Sequence, residues 1–125
     1  PLGKEMRQAE AEGRLHREQP FVMGRKACEI FPGCKKDDTV LVQGIIDGYY
    51  ETGGGIVLID YKTDALREGE EGRLLERYEK QMVLYRQALE EMTGKPVIRC
   101  VLYSFSLGKE VLVSQKNRME GYYDV

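Results

Sequence analysis

Three side chains raise the chemical question. Asp47 follows the apolar pair Ile45-Ile46, Asp60 ends the run Ile56-Val57-Leu58-Ile59, and Lys62 stands two residues further on. The segments Val40 to Asp47 and Ile56 to Asp60 are rich in β-formers and meet at Thr52-Gly53-Gly54-Gly55, which predicts a β-hairpin. With a symmetric turn Glu51 faces Ile56, and counting back sets Asp47 opposite Asp60. Opposed residues have Cβ atoms roughly 4.5–5.5 Å apart, and like charges so placed destabilise a hairpin. Lys62 shares the face of Asp60 because strand side chains alternate. A carboxylate at the edge of a core is costly unless it is paired or binds a metal. Oxygen donors with open positions suit Mg²⁺ or Mn²⁺, which keep waters and accept phosphate oxygens. Two acids and a lysine on one sheet face therefore read as a cation-dependent phosphodiester-cleaving site. The plainer alternative is an Asp–Lys ion pair closing the hairpin.

A second group lies downstream. Leu74, Leu75, Tyr78, Met82, Tyr85, Leu89 and Met92 recur mostly at steps of three and four, which predicts a long helix with one apolar face, ended by Gly94 and Pro96. Tyr78, Gln81 and Tyr85 share that face, and Gln81 is its polar member. By itself that glutamine is as readily structural as functional.

The remaining elements must position these residues. Lys4 to Arg14 predicts a short helix stopped at Gly13, and His16 to Ile30 a strand bent near Gly24 and closed by Pro32-Gly33. Thr63 to Gly72 is a polar connection at the surface. Val97 to Phe105 and Glu110 to Ser114 read as two further strands, with a weakly specified polar tail from Gln115. The order is one helix, three strands, a long helix and two strands, an α/β domain around a mixed sheet. Pro1-Leu2-Gly3 reads as a tag-cleavage scar, leaving residues 4–125 as a single domain cut from a larger polypeptide.

Composition narrows the classes. The 125 residues fit one domain, and a net charge of −2 argues against a strongly basic nucleic-acid-coating module. No apolar stretch approaches the roughly 20 residues that span a bilayer. Cys28, Cys34 and Cys100 lack CxxC spacing and read as free thiols of a reducing compartment. Gly53-Gly54-Gly55 is not followed by Lys-Ser/Thr, so it is no phosphate-binding loop of an ATPase.

Taken together, several segments resemble a known family. Gln43-Gly44-Ile45-Ile46-Asp47-Gly48, Val57-Leu58-Ile59-Asp60-Tyr61-Lys62-Thr63-Asp64 and Gln81-Met82-Val83-Leu84-Tyr85 are similar to the RecB-like branch of the PD-(D/E)XK nucleases. The likeness is greatest to the C-terminal nuclease domains of AddA-type helicase-nucleases. Arg17-Glu18-Gln19-Pro20-Phe21, Thr93-Gly94-Lys95 and Leu102-Tyr103-Ser104-Phe105 carry it over nearly the whole chain.

The resemblance implies a restriction-endonuclease-like mixed sheet flanked by helices. It implies a Mg²⁺-dependent DNA nuclease, with Mn²⁺ able to substitute, acting on single strands unwound during double-strand-break repair and recombination. Asp47, Asp60 and the backbone carbonyl of Tyr61 would bind the metal. Lys62 would orient or activate water and stabilise negative charge; beside two carboxylates it stays protonated, which favours the electrostatic role. Gln81 and Tyr85 would shape the site and contact DNA. Glu18 is either a further acid of the site or a strand-end salt-bridge partner. The implied partners are DNA, a helicase on the same polypeptide and an AddB-like protein, in the bacterial cytoplasm at the nucleoid. Members of this branch usually carry a metal-binding His on a helix ahead of the first strand. The only His here, His16, begins the first strand, so the fold is expected to lack that first helix and the isolated fragment one ligand. Three cysteines cannot hold the four-thiolate iron–sulfur cluster of some relatives. Two other readings stay open: an inactive nuclease fold used for docking or strand binding, and a stand-alone restriction or junction-resolving enzyme.

Overall fold

The computed structural model describes residues 2–31, 33 and 38–114. Cys34 and the tail from Gln115 lie outside the described residues. The elements run α1 (Leu2–Ala11), β1 (Leu15–Lys26), α2 (Ala27–Ile30), β2 (Thr39–Thr52), β3 (Gly55–Lys62), α3 (Glu71–Thr93), β4 (Val97–Ser104) and β5 (Lys109–Leu112). The strands form one sheet in the order β1-β2-β3-β4-β5, parallel between β3 and β4 and antiparallel elsewhere. The α/β expectation holds.

β3 is apolar on both faces because both are covered. Ile56 and Leu58 join Leu74, Met82 and Leu89 of α3, whereas Val57 and Ile59 join Leu2, Met6 and Ala9 of α1. Leu2, within the stretch read as a scar, is thus buried in α1's apolar stripe. α3 stops at Gly94, which takes φ 70° and donates its N–H to the Glu90 carbonyl at 2.9 Å. Gly55 has φ 144°, and a Cβ there would lie 2.4 Å from the Pro96 carbonyl oxygen, which accepts a hydrogen bond from Ile56 N–H. Only glycine lets β4 enter beside β3 at this point.

The expected strand from His16 to Ile30 ends earlier. Ala27 N–H bonds to the Asp38 carbonyl and Phe31 N–H to the Ala27 carbonyl, so residues 27–30 form a single helical turn, too short for any periodicity to reveal. β5 likewise begins at Lys109 and ends at Leu112 as a strand, although Val113 N–H still reaches the Cys100 carbonyl. Among the described residues no helix is long and apolar enough to cross a membrane.

Candidate active site

The β2–β3 hairpin has the register counted from its turn. Thr52 pairs with Gly55, Glu51 with Ile56 and Gly48 with Ile59, and the next step sets Asp47 across from Asp60. The Asp47 carboxylate accepts the Tyr61 backbone N–H at 2.8 Å, which ties the two strands at their open end. Asp60 is 4% exposed. Burial raises its carboxyl to about pKa 6, with the neighbouring Asp47 adding to the rise and Lys62 opposing it.

Lys62 is held from three sides. Its Nζ lies 2.5 Å from Asp60 Oδ2, donates to Gln81 Oε1 at 2.9 Å, and stands 3.8 Å from the centroid of the Tyr78 ring. Gln81 in turn donates from Nε2 to the Tyr85 hydroxyl at 3.3 Å, and Tyr85 packs edge-on against Phe21. The helix positions Tyr78, Gln81 and Tyr85 at successive turns, and β3 delivers the lysine to them.

Asp64 belongs to this arrangement although sequence reasoning gave it no role. Its carboxylate accepts the Tyr78 hydroxyl at 2.9 Å and pairs with Arg77 at 2.5 Å, so it fixes the ring that faces Lys62. The Lys62-Thr63-Asp64 run was the available signal. What it lacked was the path of the following loop, which alone brings Asp64 under α3.

Glu18 occupies the register position across from Asp47, between the pairs Arg17–Gly48 and Gln19–Ile46, and the β1–β2 ladder is interrupted there. Its φ of 50° is left-handed, an uncommon and strained state for a non-glycine residue. Ile46 and Tyr49 both enter the α3-side core although they are three residues apart, so the inward alternation slips by one at the same point. Glu18 is exposed and makes no salt bridge among the described residues. His16 stands apart from the acid pair: it stacks on Tyr49 at 4.6 Å and bonds to Glu51 at 3.2 Å, which itself pairs with Lys95. Cys28 is exposed; Cys100 is buried, its thiol pushed up to about 12 by burial.

The donors present fit a hard divalent cation. Asp60 Oδ2 is buried, and among the described residues its close partner is the Lys62 ammonium at 2.5 Å. Asp47, Asp60 and the Tyr61 carbonyl are oxygen donors, and Mg²⁺ is commonly held by one or two carboxylates with water and phosphate completing the shell. No cluster of three or more His, Cys, Asp or Glu suited to a metal occurs among the described residues.

The profile of the PD-(D/E)XK nuclease superfamily matches residues 2–121. The chain belongs to this superfamily. It is also similar to proteins named as the A component of an ATP-dependent helicase/nuclease. That of Alkaliphilus oremlandii is 42% identical over 113 residues, spanning 89% of this chain and 9% of the relative. That of Clostridium novyi is 41% identical over 114 residues, and that of Geobacillus kaustophilus 44% over 112, again 9% of each relative. The nuclease domain therefore matches only a small part of these long proteins, and within it the five-stranded sheet carries the two acids and the lysine described above.

Proposed function

We propose that this domain is the divalent-cation-dependent DNA nuclease of a helicase-nuclease, hydrolysing phosphodiesters of unwound single strands during double-strand-break processing. The observation that carries this reading is the convergence of Asp47, Lys62 and Gln81 around the buried Asp60 carboxylate. When bound, a divalent cation polarises the scissile phosphate and lowers the pKa of a coordinated water.

The chain's own residues supply the rest. Asp47, oriented by Tyr61 N–H, and Asp60 present oxygens to one side of the hairpin. Lys62 offers a fixed cation to the charge that builds on the phosphoryl oxygens, and its fixation means little reorganisation is needed as that charge develops. Gln81 and Tyr78 hold the lysine, Tyr85 holds Gln81, and Glu18 is a further acid for the site. Its lack of a salt bridge among the described residues favours that role over strand-end pairing.

The test is cleavage of single-stranded DNA with Mg²⁺ or Mn²⁺. Asp60→Asn and Lys62→Met should each lower the rate by at least roughly a hundredfold; wild-type rates in both would remove the assignment. The scarcity of protein ligands favours one alternative, an inactive strand-binding or docking domain. In that case DNA would bind without metal and Asp47→Asn would not weaken it. The helicase on the same polypeptide and the AddB-like partner rest on the relatives' names and belong to this proposal, as does a cytoplasmic setting.

A further inference from the structure

Three rings gather at the same end of β3 and β4 as the site, on the other face of the sheet, without a part in the chemistry above. Tyr61 precedes Lys62 and so faces the other side of β3, away from Asp60. Its ring stacks on Phe105 with centroids 5.6 Å apart and planes 22° apart. Tyr103 meets Phe105 edge-on at 5.4 Å and Tyr61 at 6.3 Å. Tyr61 and Tyr103 are half-buried, while Phe105, the outermost ring, is 58% exposed. Exposure alone carries little, since Phe31 is 56% exposed with no ring partner among the described residues. Phe105 differs in being pre-set by two aromatic neighbours and tied to the site: its backbone N–H donates to the Lys62 carbonyl at 3.1 Å. Phe105 and Lys62 stand at the same end of β3 and β4, the ring on the face opposite the Lys62 ammonium, so a strand that reaches both passes over that edge of the sheet.

Charge points the same way. With a net charge of −2, the chain has little general attraction for a polyanion, so its hold on a strand must come largely from contacts that do not depend on charge. Aromatic faces provide such contacts to any unpaired base.

We propose that Phe105, braced by Tyr61 and Tyr103, is a stacking platform for an unpaired base of the single-stranded DNA whose phosphate lies at Asp47, Asp60 and Lys62. This rests on the nuclease reading of the site. The platform receives a base at the lip of β3 and β4 and aligns the adjoining phosphate. It is indifferent to base identity, as an enzyme fed with arbitrary unwound sequence requires. A duplex hides its base faces within the stack, so the platform also favours single strands.

The experiment titrates the protein, with Ca²⁺ present, into an oligothymidylate carrying one 2-aminopurine moved stepwise along the strand. Wild type should quench the fluorescence at one or two positions. Phe105→Ala should remove that quench and weaken binding roughly ten- to a hundredfold, Phe105→Trp should restore both, and Phe105→Leu should not. A strand of abasic sites, with the same phosphates and no bases, should bind wild type and Phe105→Ala alike. Unchanged quench and affinity in Phe105→Ala overturns the platform, as does absence of binding by wild type. A fall in thermal stability without a change in binding also overturns it, because the ring is then a packing residue. Failure of the nuclease reading looks different: wild type and Asp60→Asn show no metal-dependent cleavage, while the effect of Phe105→Ala on binding persists.

Discussion

Lys62 is a flexible side chain made rigid by its surroundings. The Tyr78 ring, the Gln81 amide oxygen and Asp60 surround its ammonium, and Asp64 holds the ring in turn. If Lys62 acts by fixed charge, loosening it should lower kcat more than it raises KM. Tyr78→Leu removes the ring face and should cost roughly ten- to a hundredfold in kcat, whereas Tyr78→Phe keeps the face, loses the bond to Asp64 and should cost less. Single-turnover cleavage rates separate the two, and equal losses in both variants would show that the hydroxyl, not the ring, is what matters. Asp60 gives a prediction in pH. Its carboxyl is raised in the folded state, so its contribution to stability is fully present below the ordinary carboxylate range and is lost as pH rises through about 6. Without metal, the melting temperature should fall across that window; Mg²⁺ should restore it above pH 6 and do little near pH 4. Asp60→Asn should flatten both responses in a fluorescence-monitored melt. The placement of these two residues was legible because strand alternation and a symmetric glycine turn suffice to count it. Asp64 and the left-handed Glu18 were not legible, since a loop's path and a strained non-glycine φ leave no periodic trace.

At the scale of elements, apolar spacing located α3 but concealed its most unusual residue. Arg86 lies one turn after Met82 on the buried face, is 1% exposed, and has no hydrogen-bond partner on any guanidinium nitrogen among the described residues. A charged residue reads as a solvated position in any hydrophobic pattern, so only the packed structure reveals it. Its polar neighbour is the Cys100 thiol, whose rise it opposes. An unpaired buried cation is a net cost, and Arg86→Met keeps the length while removing the charge; stability should rise by about 1–4 kcal/mol, read from urea unfolding midpoints. No gain would mean that the guanidinium has a counter-charge in solution. Gly55 presents the converse case. The turn composition announced a glycine, yet not that Pro96 would pass so close. Gly55→Ala should destabilise by about 2–4 kcal/mol through strain and overpacking together. The same substitution at Gly53, where a Cβ meets nothing within 4 Å and φ is not positive, should change the same midpoint far less.

For the whole molecule, charge bears on how the proposed site would meet DNA. Many exposed cations are already in ion pairs: Arg77 with Asp64, Lys95 with Glu51, Arg73 with Glu70, and Lys109 with Glu68 and Glu71. Lys4, Arg7, Arg67 and Lys80 are exposed without a salt bridge among the described residues, but on the proposed reading the phosphate contact is local, centred on Lys62. For single strands the slope of log affinity against log salt is about −0.7 per phosphate neutralised, so one or two contacts predict a slope between about −0.7 and −1.4. A free DNA-seeking enzyme would show several times that slope, together with tight binding at low salt. The domain matches 9% of the length of its relatives, whose names include a helicase. On the proposed reading, the motor's tether replaces electrostatic capture by raising the strand's local concentration, to the millimolar range for a short linker. Cleavage by the isolated chain should accordingly show a high KM, a kcat little affected by salt, and kcat/KM falling with the shallow slope. Steady-state cleavage of oligothymidylate at several salt concentrations reads all three. A slope steeper than about −4 would mean that a basic surface captures the DNA, and the motor-fed account would fail.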